Sequence, residues 1–113
     1  MIRRPGDLIQ KDPSSIEPQG FDWTDWLLEL ASTVTISTST WSVSTIAGDA
    51  APVTLSGDAI VTGPAESGSR ASSATQVTLT AGTAGYRYTV TNRIITSTNV
   101  QDERSFRVLG VQR

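Results

Sequence analysis

The sequence lacks cysteine and histidine, and it has few charged residues. Its 113 residues contain no Cys, no His and one lysine, Lys11, among nine basic residues. These absences exclude disulfide frameworks, Cys/His zinc sites, and catalysis by a Cys nucleophile or a His base. We therefore assign no catalytic, cofactor-binding or metal-ligating residue, and we expect a protein that is not an enzyme.

The charges are nearly balanced, with nine Lys and Arg against eleven Asp and Glu. This balance gives no electrostatic reason to expect binding to nucleic acid or to an anionic membrane. No apolar run approaches the roughly 20 residues of a membrane span, and no apolar segment follows the basic start as in a signal peptide. The expected partners are therefore other proteins.

The polar residues that are present favour β-structure. Sixteen Thr and fourteen Ser stand between short apolar alternations that are separated by Gly, Pro and Asp. About seven such segments follow one another, which predicts an all-β, immunoglobulin-like β-sandwich. The side chains expected to point inward are Trp41, Tyr88, Val90, Ile94, Phe106 and Val108.

Three local features refine this prediction. The apolar parity changes between Ile36 and Trp41, which indicates a bend or bulge in that strand. Tyr88 follows the turn Gly82–Gly85 and is placed like the tyrosine corner of Greek-key sandwiches, in which the hydroxyl binds upstream backbone. Residues 63–74 show no pattern and predict a mobile loop.

Residues 1–20 differ from the remainder, and we interpret them as an extended N-terminal arm that precedes a sandwich domain at 21–113. Three of the five prolines lie here, and proline at this density disfavours both helix and central strand. We expect the arm to be disordered in the isolated protein and ordered on a neighbouring subunit. Its predicted partner-binding residues are Ile2, Arg3, Arg4, Leu8, Ile9 and Ile16.

The segment 23–30 predicts a short helix, because Trp23, Trp26, Leu27 and Leu30 recur at helical spacing. Asp22 or Thr24 would cap its start. Two turns do not persist alone in water, so the helix must dock on the sandwich or on a neighbour. The predicted docking residues are Phe21, Trp23, Trp26, Leu27 and Leu30.

Other interpretations of these residues stay open at this point. Asp22 and Asp25 could form a carboxylate pair for acid–base work, although capping explains them more simply. Asp49, Asp58 and Glu66 could bind Ca²⁺, although they lack the spacing of a calcium loop. The three tryptophans could form a sugar-stacking platform, although Trp41 is expected in the core.

Four stretches together resemble a family of short virion proteins of tailed bacteriophages and prophages. They are Asp22-Trp23-Thr24-Asp25-Trp26-Leu27, Ser39-Thr40-Trp41-Ser42-Val43, the run from Thr80 through Gly85, Tyr88 and Asn92 to Ile94, and Asp102-Glu103-Arg104-Ser105-Phe106-Arg107-Val108. The resemblance covers roughly residues 22–46 and 76–108. Members are often described as fibre–tail adaptors or minor virion proteins.

The resemblance implies a non-enzymatic structural component of the virion that connects the tail or neck to fibres. Its partners would be other virion proteins and copies of itself, arranged as a ring-like homo-oligomer. A capsid decoration protein is the alternative within virions, and a carbohydrate-binding module is the alternative from another class.

Overall fold

The computed structural model describes residues 2–64 and 69–112, which form two packed four-stranded sheets and one short helix. The elements are β1 (Ile2–Arg3), β2 (Leu8–Lys11), β3 (Ile16–Asp22), α1 (Thr24–Leu30), β4 (Ile36–Val43), β5 (Thr54–Val61), β6 (Ala74–Thr80), β7 (Arg87–Thr96) and β8 (Gln101–Gly110). One sheet has the order β1-β3-β6-β5 and the other β2-β8-β7-β4. The neighbours β3-β6-β5 and β4-β7-β8 reproduce the strand order of immunoglobulin-type sheets. The predicted all-β sandwich is confirmed.

The core lies between the sheets and is built by strand alternation. Strands β6, β7 and β8 bury alternate residues, because successive side chains of a strand point to opposite faces. Five residues expected inward, Tyr88, Val90, Ile94, Phe106 and Val108, are 0–1% exposed. Trp41 packs against this core but remains partly exposed.

Two strands contain irregularities that change their register. The pairing of β4 with β7 shifts between Ile36 and Thr38, which confirms the bulge expected between Ile36 and Trp41. The pairing of β5 with β6 shifts between Ser56 and Ala59, where Gly57 adopts a φ of +61°. Residues 54–56 and 59–61, on either side of this bulge, both pair with β6 and belong to one strand.

The N-terminal segment lies within the sandwich, which corrects the expected division at residue 20. Leu8–Lys11 pairs in parallel with β8, and Ile16–Asp22 pairs antiparallel with β6. Ile2–Arg3 adds to the outer edge of β3. The segment is extended, as predicted, but its backbone hydrogen bonds are made to its own chain.

The prolines fit this arrangement because each occupies a position where a sheet tolerates it. Pro5 and Pro13 lie in the turns before and after β2. Pro18 lies in a stretch of β3 that pairs only with β6, since β1 begins to pair at Gly20. An edge position can accept a residue without an N–H, so proline density alone did not exclude strands here.

Candidate functional site

A buried polar centre fixes the helix and both sheets to one another. The Asn92 side chain on β7 is 0% exposed. Its Oδ1 accepts hydrogen bonds from Trp23 Nε1 at 3.0 Å and Thr75 Oγ1 at 2.7 Å. Its Nδ2 donates to Ser39 Oγ at 2.9 Å and to the Thr40 carbonyl at 3.3 Å. The amide thus uses both donor and both acceptor positions, as a buried amide must to avoid a large desolvation cost.

The helix docks on the sandwich of its own chain. Phe21, Trp23 and Leu27 are 0% exposed, and the Phe21 ring stacks on Trp41 with centroids 5.9 Å apart. Trp26 is half-buried, with its ring edge-on to Trp23 at 5.4 Å. Full burial of Trp23 does not fit a sugar platform of three tryptophans.

Two leucines of the helix remain on the surface. Leu30 is 40% exposed, so this predicted docking residue is accessible to a partner, unlike Phe21, Trp23 and Leu27. Leu28, which was not among the predicted docking residues, is 47% exposed. Glu29 between them is also exposed, and residues two apart in a helix point in different directions, so these are two separate exposed apolar side chains.

The charged side chains of Asp22 and Arg104 stabilise the chain around the start of α1. Asp22 Oδ1 accepts hydrogen bonds from the Thr24 N–H at 3.1 Å and its hydroxyl at 2.6 Å, which gives this carboxylate a local structural role rather than acid–base work. The N-cap residue of α1 is Trp23, which makes no side-chain capping hydrogen bond, so the expected cap at Asp22 or Thr24 is not found. The Arg104 guanidinium lies 4.0 Å from the Trp23 ring centroid and donates to the Asp22 carbonyl. Burial lowers the pKa of Arg104, against the opposing effect of the carboxylates of Asp102, Asp22 and Asp25.

A second polar cluster joins the turn after β6 to the connection between β4 and β5. The Tyr88 hydroxyl accepts the Thr83 N–H at 3.0 Å, which confirms the predicted tyrosine corner, and donates to Asp49 Oδ2 at 2.5 Å. Burial alone would raise the pKa of Asp49, but hydrogen bonds from Thr83, Tyr88 and Ala51 outweigh it and lower that pKa. Burial and the bond to Asp49 raise the pKa of Tyr88.

The one lysine of the chain is buried, which the sequence interpretation missed. Lys11 is 1% exposed, and its ammonium donates to the carbonyls of Asp12, Ser15 and Ala81 at 3.0, 2.6 and 2.6 Å. Desolvation lowers the pKa of Lys11, although Glu17 and Asp12 oppose the shift. The ammonium fastens the β2–β3 turn to the end of β6. The inward parity that Lys11 shares with Ile9 is the sequence signal that could have indicated this.

The predicted residues of the N-terminal segment separate into buried and accessible groups. Ile9 is a core residue, while Ile2, Leu8 and Ile16 are 45%, 47% and 69% exposed. Arg4 is exposed and Arg3 is partly buried. Ile2, Arg3 and Arg4 line the same cavity, together with Asp22 and Arg104. Only the accessible residues can contact a partner without unfolding the sandwich.

The opposite flank of the sandwich has a groove between the edge strands β4 and β5. Its volume is about 350 Å³, and Trp41, Leu55 and Asp58 line it together with Ser39, Thr40, Ser56 and Val77. The indole N–H of Trp41 is buried and has no hydrogen-bond partner within residues 2–64 and 69–112. Asp58 is the one charged residue among those that line the groove.

Two of the three possible Ca²⁺ ligands, Asp49 and Asp58, lie in different parts of the fold. Asp49 belongs to the tyrosine corner and Asp58 to the β4–β5 groove, while Glu66 lies outside the described residues. Across the part of the chain that the structure describes, no group of three or more acidic, Cys or His side chains could hold a metal ion. None of the described helices has the length and apolarity to cross a membrane.

The predicted loop at 63–74 is held at both of its described ends. The Gly63 N–H donates to Ser73 Oγ at 3.1 Å, and that oxygen also accepts the Thr24 hydroxyl at 2.9 Å. The described ends of this segment therefore lie against the start of α1. Residues 65–68, on which part of the mobile-loop prediction falls, lie outside the described residues.

A comparison with family models matches residues 11–109 to the podophage GP4 fiber-tail adaptor protein gp77 family. The chain belongs to this family. The match covers most of the sandwich, including both polar clusters and both rims of the β4–β5 groove. No curated protein matches the chain.

Membership of the gp77 family identifies the chain as a structural adaptor protein of a bacteriophage tail. It confirms the resemblance to phage fibre–tail adaptors that the sequence motifs indicated. Two of those motifs can now be explained physically. Asn92 and Trp23 form the central hydrogen bond, and Tyr88 forms the tyrosine corner.

Proposed function

We propose that this protein is a non-enzymatic connector that holds fibres on the phage tail, in contact with other virion proteins and with copies of itself. The observation that carries the proposal is the fiber-tail adaptor family match over residues 11–109. The fold is suited to such a role because the core amide and the tyrosine corner tie the sheets and connections together. A rigid sandwich presents its surface without an ordering cost on binding.

Surface apolar residues supply the contacts in this proposal. Leu28 and Leu30 stand out from α1, and Ile16 stands out from β3, each 40–69% exposed. Large exposed apolar side chains gain free energy when another protein buries them. We assign the α1 surface, defined by Leu28 and Leu30, to contact with a neighbouring tail or fibre protein.

The test replaces the two leucines in the assembled phage. Leu28→Ser combined with Leu30→Ser removes both exposed apolar side chains but leaves the buried side of α1 unchanged. Glu29→Ser, an exposed position between them, is the matched control. Circular dichroism verifies folding, and gel analysis and electron microscopy of purified particles measure the adaptor and the fibres.

We expect the double variant to be folded but depleted from particles, with a parallel loss of fibres, while the control assembles normally. Wild-type incorporation of the double variant would exclude the α1 surface as the contact. Particles that lack the protein yet carry a full set of fibres would refute the connector function itself. Deletion of residues 2–20 cannot serve as this test, because it removes β2 and most of β3.

A further inference from the structure

The outer face of the β2-β8-β7-β4 sheet has two arginines close together. Accessible residues alternate with buried ones along β7 and β8, and the side chains that point away from the core near one end are Arg87 and Thr89 of β7 and Arg107 and Leu109 of β8. We call these four residues the arginine patch. Arg87 lies opposite Leu109 in the antiparallel ladder, and Thr89 lies opposite Arg107. The two arginines are therefore diagonal neighbours, about 7–8 Å apart.

The arginine patch keeps its positive charge. Across the residues that the structure describes, neither Arg87 nor Arg107 forms an ion pair, whereas Arg93 on the same face lies 3.5 Å from a carboxylate oxygen of Glu103. An Arg107 Nη atom donates to the backbone carbonyl of Gly6, which orients the guanidinium but does not neutralise it. The patch is thus a local positive surface on a chain whose formal net charge is −2.

The chemistry of the patch fits a protein partner. Leu109 is partly exposed between the arginines, and Leu8, which β2 places beside Arg107, is 47% exposed. None of the outward-pointing residues on these four strands, all of which the structure describes, is aromatic, so the face has no ring on which a base could stack. Arginine is enriched at protein interfaces, where its guanidinium can hold a carboxylate through paired hydrogen bonds. The complementary surface is therefore acidic, with an apolar side chain among its carboxylates.

The arginine patch lies at the opposite end of the sandwich from α1. The Ser97 N–H donates to the Thr35 carbonyl at 2.8 Å, so the connection that follows α1 meets the far end of β7. Arg87 is the first residue of that ten-residue strand, which spans about 30 Å. A connector needs separate surfaces for the two proteins that it joins, and the α1 surface and the arginine patch have this separation.

The two surfaces also differ in polarity, which assigns them to different partners. Permanent interfaces are more apolar than interfaces between proteins that meet after each has folded. The leucines of the α1 surface suit a lasting contact with the tail. The charged patch stays solvated until a fibre arrives, and its charge accelerates the encounter with an acidic partner.

We propose that the arginine patch binds an acidic surface of the fibre protein. Carboxylates of the fibre would contact Arg87 and Arg107, and an apolar side chain of the fibre would cover Leu109. This inference rests on the proposed function, since it names the surface of the connector that holds the fibre.

Neutralising the patch tests the proposal. Arg87→Gln combined with Arg107→Gln removes two positive charges from the patch. Arg4→Gln combined with Arg93→Gln removes two from exposed positions outside it and is the matched control, because both double variants have the same net charge. Circular dichroism verifies folding of the full-length variants. Surface plasmon resonance measures their affinity for the purified fibre protein of the same phage at low and at high salt.

We expect the patch variant to bind the fibre protein at least about tenfold more weakly than the control at low salt. Wild-type binding should weaken as salt is added, because salt screens the opposite charges. In purified particles the patch variant should be incorporated normally but carry fewer fibres. The variant with both leucines of α1 replaced differs, since it should itself be depleted from particles.

Three results would overturn the proposal. They are fibre binding by the patch variant as strong as that of the control, wild-type fibre binding that does not respond to salt, or loss of the patch variant from particles with unchanged affinity for the fibre protein. The last would mean that the patch contacts the tail. An acidic polysaccharide as the true ligand would appear as the first result together with heparin binding that only the patch variant loses. In each case the connector function stands if particles without this protein also lack fibres.

Discussion

The sharpest stability prediction concerns Asn92, the buried amide that joins four parts of the fold. Asn92→Leu keeps a side chain of similar volume but removes both polar atoms. It deprives Trp23, Thr75, Ser39 and Thr40 of a hydrogen-bond partner. At a net contribution of about 1 kcal/mol per hydrogen bond, the variant should lose about 4 kcal/mol of unfolding free energy.

Removing a group that Asn92→Leu leaves without a hydrogen-bond partner should recover part of the lost unfolding free energy. In the double variant Asn92→Leu and Thr75→Val, one of the four unpaired groups, the Thr75 hydroxyl, is removed with little change in side-chain volume. We expect it to be about 1 kcal/mol more stable than Asn92→Leu alone. Thr89→Leu, an exposed position on the same strand, is the control and should change stability by less than about 0.5 kcal/mol.

Urea denaturation followed by far-ultraviolet circular dichroism measures all of these variants. The reasoning is refuted if Asn92→Leu loses less than about 1 kcal/mol, because four buried hydrogen bonds would then contribute almost nothing. It is also refuted if the double variant is no more stable than Asn92→Leu alone.

Three further predictions concern the other polar cluster, the buried lysine and a close backbone approach. Because Asp49 has a lowered pKa in the folded state, its contribution to stability is present above about pH 4 and is lost as the pH falls through that pKa. The difference in melting temperature between the wild type and Asp49→Asn should therefore shrink in acid. A difference that does not change with pH would contradict this. Lys11→Met leaves three carbonyls unpaired and should cost about 3 kcal/mol in urea melts, whereas a neutral result would mean that water replaces the ammonium. Gly20→Ala would place a Cβ in steric overlap with the Thr75 carbonyl oxygen and should destabilise the β3–β6 pairing. Hydrogen exchange in β3 that is unchanged from the wild type would contradict this clash.

Much of the candidate site could be anticipated from local patterns, but its accessibility could not. Helical spacing identified Trp23 and Leu27 as docking residues, and the structure places both in the core of their own chain. Leu30 has the same spacing but is 40% exposed. Periodicity reports which residues share a face of an element. It does not report whether that face is covered by the same chain or by another.

The sequence by itself determined the all-β class, the inward faces of β7 and β8, the bulge in β4 and the tyrosine corner at Tyr88. Each depends on residues close in sequence, because alternation and turn chemistry are set by immediate neighbours. Together with the motifs around Trp23 and Asn92, these patterns were sufficient to indicate the phage adaptor family.

Only the tertiary structure decided where residues 2–22 lie. Leu8–Lys11 pairs with a strand about a hundred residues away, and no local pattern encodes a partner at that distance. The same long-range pairing buries Lys11 and leaves β1 and β4 as edges on opposite flanks. The physical reason is that hydrogen bonding between strands is satisfied by any extended backbone. The choice of partner therefore depends on how the whole chain packs rather than on the sequence of the strand itself.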